Sequence, residues 1–280
     1  MTKTDFSLEV SVARPSDYEI VRRLCRRAVG PDDYVLWILR EVIKGRGLFL
    51  AWAEDELVGM TNFDKCIDGS GWLSMARTDP DWQGLGVARF LQYEIAKKAK
   101  KHGVKILRLW TLTTNHAAIR ASEKGGFHRV CEAVRVSHGF RSKTRVDYLQ
   151  ITGNVNSKKI LKSYLSKTRG YFAYKWQFVK ASEKLIEEIK RKNELCSHDE
   201  QTFILTKPEI SFHRLSCSFS LFEGDAVRSM RLILSKAKHM RVDWVGGYLP
   251  YDQQLLAAAL KTGLKVDGWG KHCLVFEKTS

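Results

Sequence analysis

A glycine-rich turn between an apolar strand and an amphipathic helix constrains the fold of this chain more than any other stretch. Residues 72–78 mix large apolar and small side chains, as a buried strand does, and Asp79-Pro80-Asp81 is typical of a turn. From Val87 onward the apolar residues recur with helical spacing, and Gly103 ends the pattern. Between the strand and the helix lies Gln83-Gly84-Leu85-Gly86-Val87-Ala88. The sequence therefore predicts a strand, a loop of small residues and a helix start in direct succession.

Such a loop is a candidate binding site for an anion. Small residues let a ligand approach the backbone, and the free N–H groups and dipole of a helix N-terminus favour a phosphate or pyrophosphate. By itself the loop is weak evidence, because many strand-to-helix turns need glycine only for positive φ or close packing. A second unit follows directly. The apolar strand at 106–110 leads to Thr113-Thr114-Asn115, a short helix at 117–121 and Lys124-Gly125-Gly126-Phe127.

Together the two units resemble the GNAT superfamily of N-acetyltransferases. The matching motifs are Gln-x-x-Gly-x-Ala, Asn-x-x-Ala and Gly-Phe, and they are carried by Gln83, Gly86, Ala88, Asn115, Ala118, Gly126 and Phe127. Two linked motifs in the right order are far more specific than either alone. The resemblance implies that residues 1–150 bind acetyl-CoA and transfer its acetyl group to an amine. Whether that acceptor is a small molecule or a protein stays open.

The resemblance also implies which residues hold the cofactor. The backbone of residues 84–89 would wrap the pyrophosphate, and the backbone of residues 76–78 would pair with the pantetheine arm. One N–H of that strand would polarise the thioester carbonyl, and Asn115 would contact the pantetheine. The predicted cofactor-binding residues are Ala76, Arg77, Thr78, Gln83, Gly84, Leu85, Gly86, Val87, Ala88, Arg89 and Asn115.

Proton transfer is where this sequence departs from the family pattern. Many members carry a tyrosine seven residues after the matching asparagine, and Ser122 stands there instead. Some members place a glutamate five residues before that asparagine, and here Trp110 occupies the position. Ser122 is therefore the candidate catalytic residue, although a serine hydroxyl is a weak acid. Four other side chains are further candidates for which an ordinary surface or hydrogen-bonded role is favoured: Asp64, Asp68, His116 and Glu123.

The periodic segments of the first half predict a mixed α/β domain, with a GNAT-like central mixed sheet flanked by helices. Predicted strands cover residues 8–13, 47–54, 57–63, 72–78, 106–112 and 128–137. Predicted helices cover residues 15–29, 32–44, 86–102 and 115–124. We assign residues 1–150 to this acetyl-CoA-binding domain.

Residues 151–280 are predicted to form a second, smaller GNAT-like domain. After a polar stretch at 154–159, the patterns predict helices at 180–193, 226–239 and 253–261 and strands at 203–205, 212–222 and 241–245. Gly224 and Gly263 are spaced almost as Gly86 and Gly126 are, as a second copy would show. The copy would be degenerate, because Phe222-Glu223-Gly224-Asp225-Ala226 lacks the loop motif and its two acids repel a pyrophosphate. A helix–strand repeat of no special ancestry is the alternative.

The formal net charge of +16 is concentrated in one part of the chain, because residues 101–180 carry +14 of it. A basic segment of this kind can attract an acidic partner. Three such partners are the phosphates of coenzyme A, nucleic acid and an anionic acceptor. A solvated lysine and arginine surface is the alternative. The segment leaves a second function open: an acetyl-CoA-binding regulatory or nucleic-acid-binding protein without efficient catalysis.

The six cysteines are scattered without a Cys-x-x-Cys pair, which predicts buried free thiols rather than disulfides or a zinc site. No metal site is predicted. No run of about eighteen apolar residues occurs, and the first ten residues have neither a basic start nor an apolar core. We therefore expect a cytoplasmic protein without a membrane span. Nothing in the sequence indicates an oligomeric state.

Overall fold

The computed structural model describes residues 7–140, 164–211, 213–268 and 272–280. The chain divides into two compact units. Unit 1 comprises the chain up to Leu109 together with Asn115–His128 and Phe276–Ser280, and unit 2 comprises Trp110–Thr114 and Arg129–Val275. The predicted domain boundary near residue 150 lies outside the described residues, so the division into 1–150 and 151–280 stays a prediction.

Unit 1 is a mixed sheet with helices on both faces. Its strands are β1 (Leu8–Val12), β2 (Leu48–Ala53), β3 (Glu56–Lys65), β4 (Gly71–Thr78) and the first part of β5 (Ile106–Leu112). Its helices are α1 (Tyr18–Ala28), α2 (Val35–Lys44), α3 (Val87–Lys101) and α4 (His116–Lys124). The strands follow the order β1-β2-β3-β4-β5, antiparallel as far as β4, while β4 and β5 run parallel.

Alternation along the strands assigns the two faces of this sheet. Leu48 and Leu50 of β2 are fully buried in a cluster with apolar residues of α1 and α2. Phe49, between them, lies on the opposite face, where Lys98 of α3 sits 4.9 Å from its ring centroid. We call the face that carries Leu48 and Leu50 the α1/α2 face. The elements predicted for this part of the chain agree with the structure to within a few residues.

Unit 2 contains a mixed sheet with helices and a separate two-stranded sheet formed by its two strands at Tyr171–Tyr174 and Gln177–Lys180. It shares strands with unit 1: all of β6 (His128–Gly139) except His128 belongs to unit 2, and so does the beginning of β15 (Cys273–Thr279). The other strands of unit 2 are β7 (Tyr171–Tyr174), β8 (Gln177–Lys180), β9 (Leu195–His198), β10 (Gln201–Leu205), β11 (Glu209–Ser211), β12 (Arg214–Glu223), β13 (Trp244–Pro250) and β14 (Lys265–Val266). Its helices are α5 (Glu183–Arg191), α6 (Ala226–His239) and α7 (Gln253–Lys261). The main strand order is β15-β6-β13-β12-β10-β9, with β12 and β13 parallel.

The sequence predictions are less accurate in this unit. The predicted strand 241–245 is misplaced, because Arg241 has a left-handed φ of 57° and the strand runs from Trp244 to Pro250. Gly246 and Gly247 lie inside β13, where a Cβ on Gly247 would stand 2.4 Å from the Phe219 carbonyl oxygen. Close packing, and not a turn, requires glycine there. The short strands β7, β8, β9, β11 and β14 and the last strand, β15, were not predicted.

Other predicted elements are confirmed with shifted ends. The helix predicted at 180–193 is α5, which begins after the Ser182 cap, whose side chain accepts a hydrogen bond from the Leu185 N–H. The strands predicted at 203–205 and 212–222 are β10 and β12, and residue 212 itself lies outside the described residues. The polar stretch 154–159 and much of the basic segment, residues 141–163, also lie outside them.

The prediction of buried free thiols is confirmed for all six cysteines. Burial raises the pKa of Cys66 and of Cys217 to about 12, so these side chains stay protonated near neutral pH. Within the ranges that the structure describes, no helix is long and apolar enough to cross a membrane.

A buried arginine holds the C-terminal end of the chain in unit 1. The Arg108 guanidinium donates to the Asp68 carboxylate over 2.6 Å, to the Ser70 hydroxyl over 2.7 Å and to the Glu277 carboxylate over 2.7 Å. Because its charge is matched and hydrogen-bonded on two sides, Arg108 can be buried in the sheet. The last residues of the chain are therefore part of the first sheet, which the sequence did not indicate.

Candidate functional site

Strand β4 has one edge that is paired along most of its length and one that is not. It pairs with β3 from Gly71 to Thr78, but its register with β5 covers only Gly71 and Trp72. From residue 73 onward this part of the described structure provides a strand partner on the β3 side alone. A strand edge of this kind presents backbone N–H and C=O groups that can pair with an extended ligand. Ala76 is exposed and Thr78 is half-buried, so the edge is accessible at the predicted positions.

A β-bulge interrupts β4 just before this edge ends. Met60 of β3 faces Arg77 and Asn62 faces Ser74, so Met75 and Ala76 together oppose one residue of β3. Met75 has a φ of 56°, which is uncommon for a residue other than glycine. A bulge redirects the local backbone groups away from the regular ladder. The backbone at Met75 and Ala76 is therefore aimed differently from that of the rest of the strand.

The helix that follows begins without any side-chain cap. Gly86 is the N-cap of α3, has a φ of 89° and can provide no cap hydrogen bond. The N–H groups of Val87, Ala88 and Arg89 have no acceptor within the helix, because the first turn of a helix never supplies one. A Cβ on Gly84 would meet no atom within 4 Å, and a Cβ on Gly86 would meet only the exposed Arg89 guanidinium at 3.9 Å. The space beside both glycines is therefore open.

The loop leading to this helix start is anchored at two buried side chains. Asp79 accepts a hydrogen bond from the Asp81 N–H over 3.1 Å and binds the Arg27 guanidinium, with its Oδ1 3.0 Å from Nη2. Trp82 is buried and donates through Nε1 to the Glu56 carboxylate over 3.2 Å. The loop is therefore held by contacts on its inner side, while Gln83, Gly84 and Leu85 are exposed on its outer side.

The Arg77 side chain has a structural partner. Its guanidinium binds the buried Asp33 carboxylate in a bidentate pair, with Nε 2.8 Å from Oδ2 and Nη2 2.6 Å from Oδ1. Asp33 lies in the connection between α1 and α2, the two helices that cover the α1/α2 face, so the pair joins β4 to that connection. The Arg77 side chain therefore contributes to the structure of this unit, and the predicted role of this residue in cofactor binding concerns its backbone and stays a prediction.

Asn115 and Ser122 are both engaged within α4. Asn115 is the N-cap, and its Oδ1 accepts a hydrogen bond from the Ala118 N–H over 3.1 Å. Ser122 is only 2% exposed, and its hydroxyl donates to the Ala118 carbonyl over 2.8 Å. A Cβ on Gly125 would stand 2.2 Å from Gln92 Oε1, so α3 and α4 pack too closely for added volume. The predicted roles of Asn115 in cofactor binding and of Ser122 in catalysis stay predictions.

Of the other four proton-transfer candidates, Asp64 is an exposed residue near the end of β3. Asp68 binds the buried Arg108, whereas His116 and Glu123 are exposed residues of α4. Burial raises the pKa of the Asp64 carboxyl above its ordinary value, although the side chain as a whole remains open to solvent. Across the described ranges, no group of three or more His, Cys, Asp or Glu side chains is placed to hold a metal ion.

Residues 18–127 match the model of the Acetyltransferase (GNAT) family. No curated protein sequence matches the chain. Among solved structures, a candidate acetyltransferase from Thermoplasma acidophilum is 16% identical and aligns over 97% of this chain and 100% of its own, with a TM-score of 0.61. A GCN5-related N-acetyltransferase from Sphaerobacter thermophilus is 11% identical over 97% of this chain and 95% of its own, with a TM-score of 0.60.

A GCN5-related N-acetyltransferase from Kribbella flavida is 12% identical over 100% of this chain and 72% of its own, with a TM-score of 0.50. At these identities the likeness concerns the fold alone. The β4 edge at residues 76–78 and the helix start at residues 84–89 both lie within the matched segment. Residues 18–127 therefore form a domain that matches the GNAT acetyltransferase family, and the whole chain shares its fold with acetyltransferase structures.

The Arg77–Asp33 pair yields a test of how β4 is held. Arg77→Met leaves a buried carboxylate unpaired, so we expect the free energy of unfolding to fall by about 3–5 kcal/mol. The double variant Arg77→Met/Asp33→Asn should lose less than the sum of the two single variants, by at least about 1 kcal/mol. Arg89→Met is the control, since that side chain is exposed and its loss should change stability by no more than about 0.5 kcal/mol. Urea unfolding measures all four, and equal effects of Arg77→Met and Arg89→Met would contradict a structural role for the pair.

Proposed function

We propose that this chain is an N-acetyltransferase that moves the acetyl group of acetyl-CoA to an amine. One observation carries the proposal: the uncapped start of α3 and the free edge of β4 belong to the same unit and are joined by a short anchored loop. A diphosphate joined to an extended pantetheine arm needs this combination, with donors for its charge and a strand edge for its amides. The family match over residues 18–127 supports the same reading.

The backbone groups of three segments would each bind a different part of acetyl-CoA. Acetyl-CoA supplies a thioester, an acyl group activated for attack by an amine. The N–H groups of residues 84–89 would bind its diphosphate, and the exposed Arg89 adds positive charge beside them. The backbone of residues 76–78 would pair with the pantetheine arm. An N–H at the bulge of Met75 and Ala76 would bind the developing oxyanion, an interaction worth about 10²–10³ in rate where one donor has been removed in another enzyme.

A second candidate function is an acetyl-CoA-binding protein without efficient catalysis. The observation that favours it is the commitment of the Ser122 hydroxyl to the Ala118 carbonyl, which leaves no proton carrier at the position where many family members have tyrosine. An acidic partner for the basic segment, nucleic acid included, belongs to this alternative. Binding of acetyl-CoA without release of thiol would favour it over the enzyme.

We also propose that unit 2 contains a degenerate second GNAT-like copy. Its β12, Gly224, α6, β13, α7 and Gly263 repeat the order of β4, Gly86, α3, β5, α4 and Gly126, with parallel strands in both cases. All four glycines have a positive φ.

The second copy has lost its open helix start. The Asp225 carboxylate accepts a hydrogen bond from the Arg228 N–H over 2.7 Å, so the first turn of α6 is capped from within. A Cβ on Gly224 would stand 2.2 Å from Gln201 Oε1, so the space beside that glycine is filled. These contacts support a single cofactor site in the chain.

The six free cysteines support a reducing compartment, for which we propose the cytoplasm.

Two glycines at opposite ends of α3 provide a matched pair for testing the cofactor site. Gly86 and Gly103 have φ values of 89° and 74°, and neither has a close neighbour that a side chain would strike. Glutamate at either position therefore costs similar backbone strain, about 1–2 kcal/mol. Gly86→Glu places a carboxylate in front of the free N–H groups and should abolish acetyl-CoA binding, whereas Gly103→Glu should bind as the wild type does. Calorimetric titration with acetyl-CoA measures both.

Release of free thiol from acetyl-CoA in the presence of several amines then tests the activity itself. The wild type and Gly103→Glu should release thiol at equal rates, and Gly86→Glu should release none. Equal binding by the two glutamate variants would contradict the cofactor site, and binding without thiol release by the wild type would contradict the enzyme.

Ser122 gives a prediction about the size of an effect. Because its hydroxyl is buried and already donates to a helix carbonyl, Ser122→Ala should slow thiol release by no more than about tenfold, or about 1.4 kcal/mol in the barrier. A positioned general acid would contribute about 10²–10⁴. The rate at saturating acetyl-CoA decides, and a thousandfold loss with unchanged cofactor affinity would identify Ser122 as a catalytic group.

A further inference from the structure

Three polar side chains form a connected group on β3 and β4 that none of the roles above uses. The Asn62 Nδ2 donates to the Asp64 carboxylate over 2.7 Å and lies 3.5 Å from the Ser74 hydroxyl oxygen. Asn62 is only 4% exposed, whereas Asp64 is open to solvent. A buried amide thus holds the orientation of a carboxylate that solutes can reach.

This group lies on the α1/α2 face of the sheet. Asn62 is the partner of Leu48 in the β2–β3 register, and Leu48 packs in the cluster formed with α1 and α2. Paired residues of neighbouring strands point to the same face, and so does the residue two positions further along. Asp64 therefore shares the face of Asn62, and Ser74, the partner of Asn62 on β4, shares it too.

The group also lies directly beside the bulge of β4. Ser74 precedes Met75, the residue with positive φ, and Ala76 follows it on the strand edge assigned above to the pantetheine arm. Asp64 is two residues along β3 from Asn62, the residue that faces Ser74. The Asp64 carboxylate and Ser74 therefore lie on adjacent strands and on the same face, linked through the Asn62 amide, with Ser74 directly before the bulge.

The surroundings of Asp64 are those of a base. Its partner across the strands is Trp72, a buried apolar side chain, and burial raises the pKa of the carboxyl while the Asn62 hydrogen bond lowers it. The neighbours Leu48 and Ser74 do not titrate. Arg108, in the same row on β5, is bound to Asp68 and Glu277. A carboxylate with a raised pKa is a stronger proton acceptor than one with the ordinary value.

We propose that Asp64 is the general base that removes the proton from the acceptor amine, with Asn62 as its positioning residue; this inference rests on the acetyltransferase function proposed above. The ammonium form of the acceptor gives one proton to the Asp64 carboxylate, and the free electron pair of its nitrogen attacks the thioester carbonyl. The C–N bond forms and the C–S bond breaks. The sulfur leaves as thiolate and takes up the second proton, which the nitrogen loses as the amide forms. The products are an N-acetyl amine and coenzyme A, and Asp64 returns its proton to solvent.

The test compares Asp64→Asn with Asp55→Asn in the full-length protein. Asp55 is an exposed carboxylate in the β2–β3 turn and serves as the matched control. Thiol release from acetyl-CoA is followed with three amine probes, namely spermidine, a peptide with a free N-terminal alanine and a peptide with an internal lysine. Asp64→Asn should lower kcat about a hundredfold or more with unchanged acetyl-CoA affinity, whereas Asp55→Asn should match the wild type. Asp64→Glu, which keeps the carboxylate, should recover part of the rate.

The pH profile separates a base from a merely structural residue. The rate of the wild type should fall at low pH as Asp64 takes up a proton, and this limb should be absent from Asp64→Asn. Asn62→Ala removes the hydrogen bond that stabilises the carboxylate, so its limb should move to higher pH. Carbon NMR titration of the wild-type carboxyls provides a readout independent of turnover and of variant folding, and it should place Asp64 above the ordinary range of aspartate.

The outcomes distinguish this proposal from the one on which it rests. A wild type that releases thiol, with an Asp64→Asn rate within threefold of it and the same acid limb, would overturn the base and leave the acetyltransferase intact. An ordinary pKa for Asp64 by NMR would also overturn the base. A wild type that binds acetyl-CoA but releases no thiol with any probe would overturn both.

Discussion

The backbone N–H groups at the start of α3 are the constraint on which the site depends. A helix start must find acceptors for these groups, and Gly86 offers no side chain while its positive φ disfavours other residues. In α6 the same need is met by Asp225, which accepts from the Arg228 N–H. The two helix starts therefore differ in one respect with large consequences. The start of α6 has a side-chain cap for one of its donors, whereas the start of α3 has none, which supports the proposed anion site there.

The strand that precedes this helix has to keep an unpaired edge without losing its position. Its register with β5 ends at Trp72, so the support comes from β3 and from the Arg77–Asp33 pair on the α1/α2 face. A buried, bidentate ion pair is costly to break from one side, which makes it suited to fixing a strand that lacks a neighbour. The side chain of Arg77 thus contributes to stability, and only its backbone enters the proposed binding of the cofactor.

Local patterns predicted much of unit 1, because its helices and strands follow apolar periodicity and its loop follows glycine chemistry. They did not predict the partner of Arg77, since Asp33 lies far away in the sequence. The hydrogen bond from the Ser122 hydroxyl to the Ala118 carbonyl joins residues four positions apart, so helix geometry could have predicted it. In unit 2 the strand predicted at 241–245 lies at Trp244–Pro250 instead, and the close packing of Gly247 against Phe219 depends on a neighbouring strand that the local pattern does not show. The pairing of Asn62 with Ser74 depends on strand register, which periodicity alone leaves undetermined.

The most direct test of the central claim, that a single cofactor site is built from backbone N–H groups of unit 1, is amide hydrogen exchange with and without acetyl-CoA. Bound ligand should slow exchange at residues 84–89 and 76–78, because their N–H groups gain acceptors. Residues 226–228 at the start of α6 should not change, since that turn is already capped by Asp225. Protection at residues 226–228, or its absence from residues 84–89 at saturating acetyl-CoA, would contradict the account.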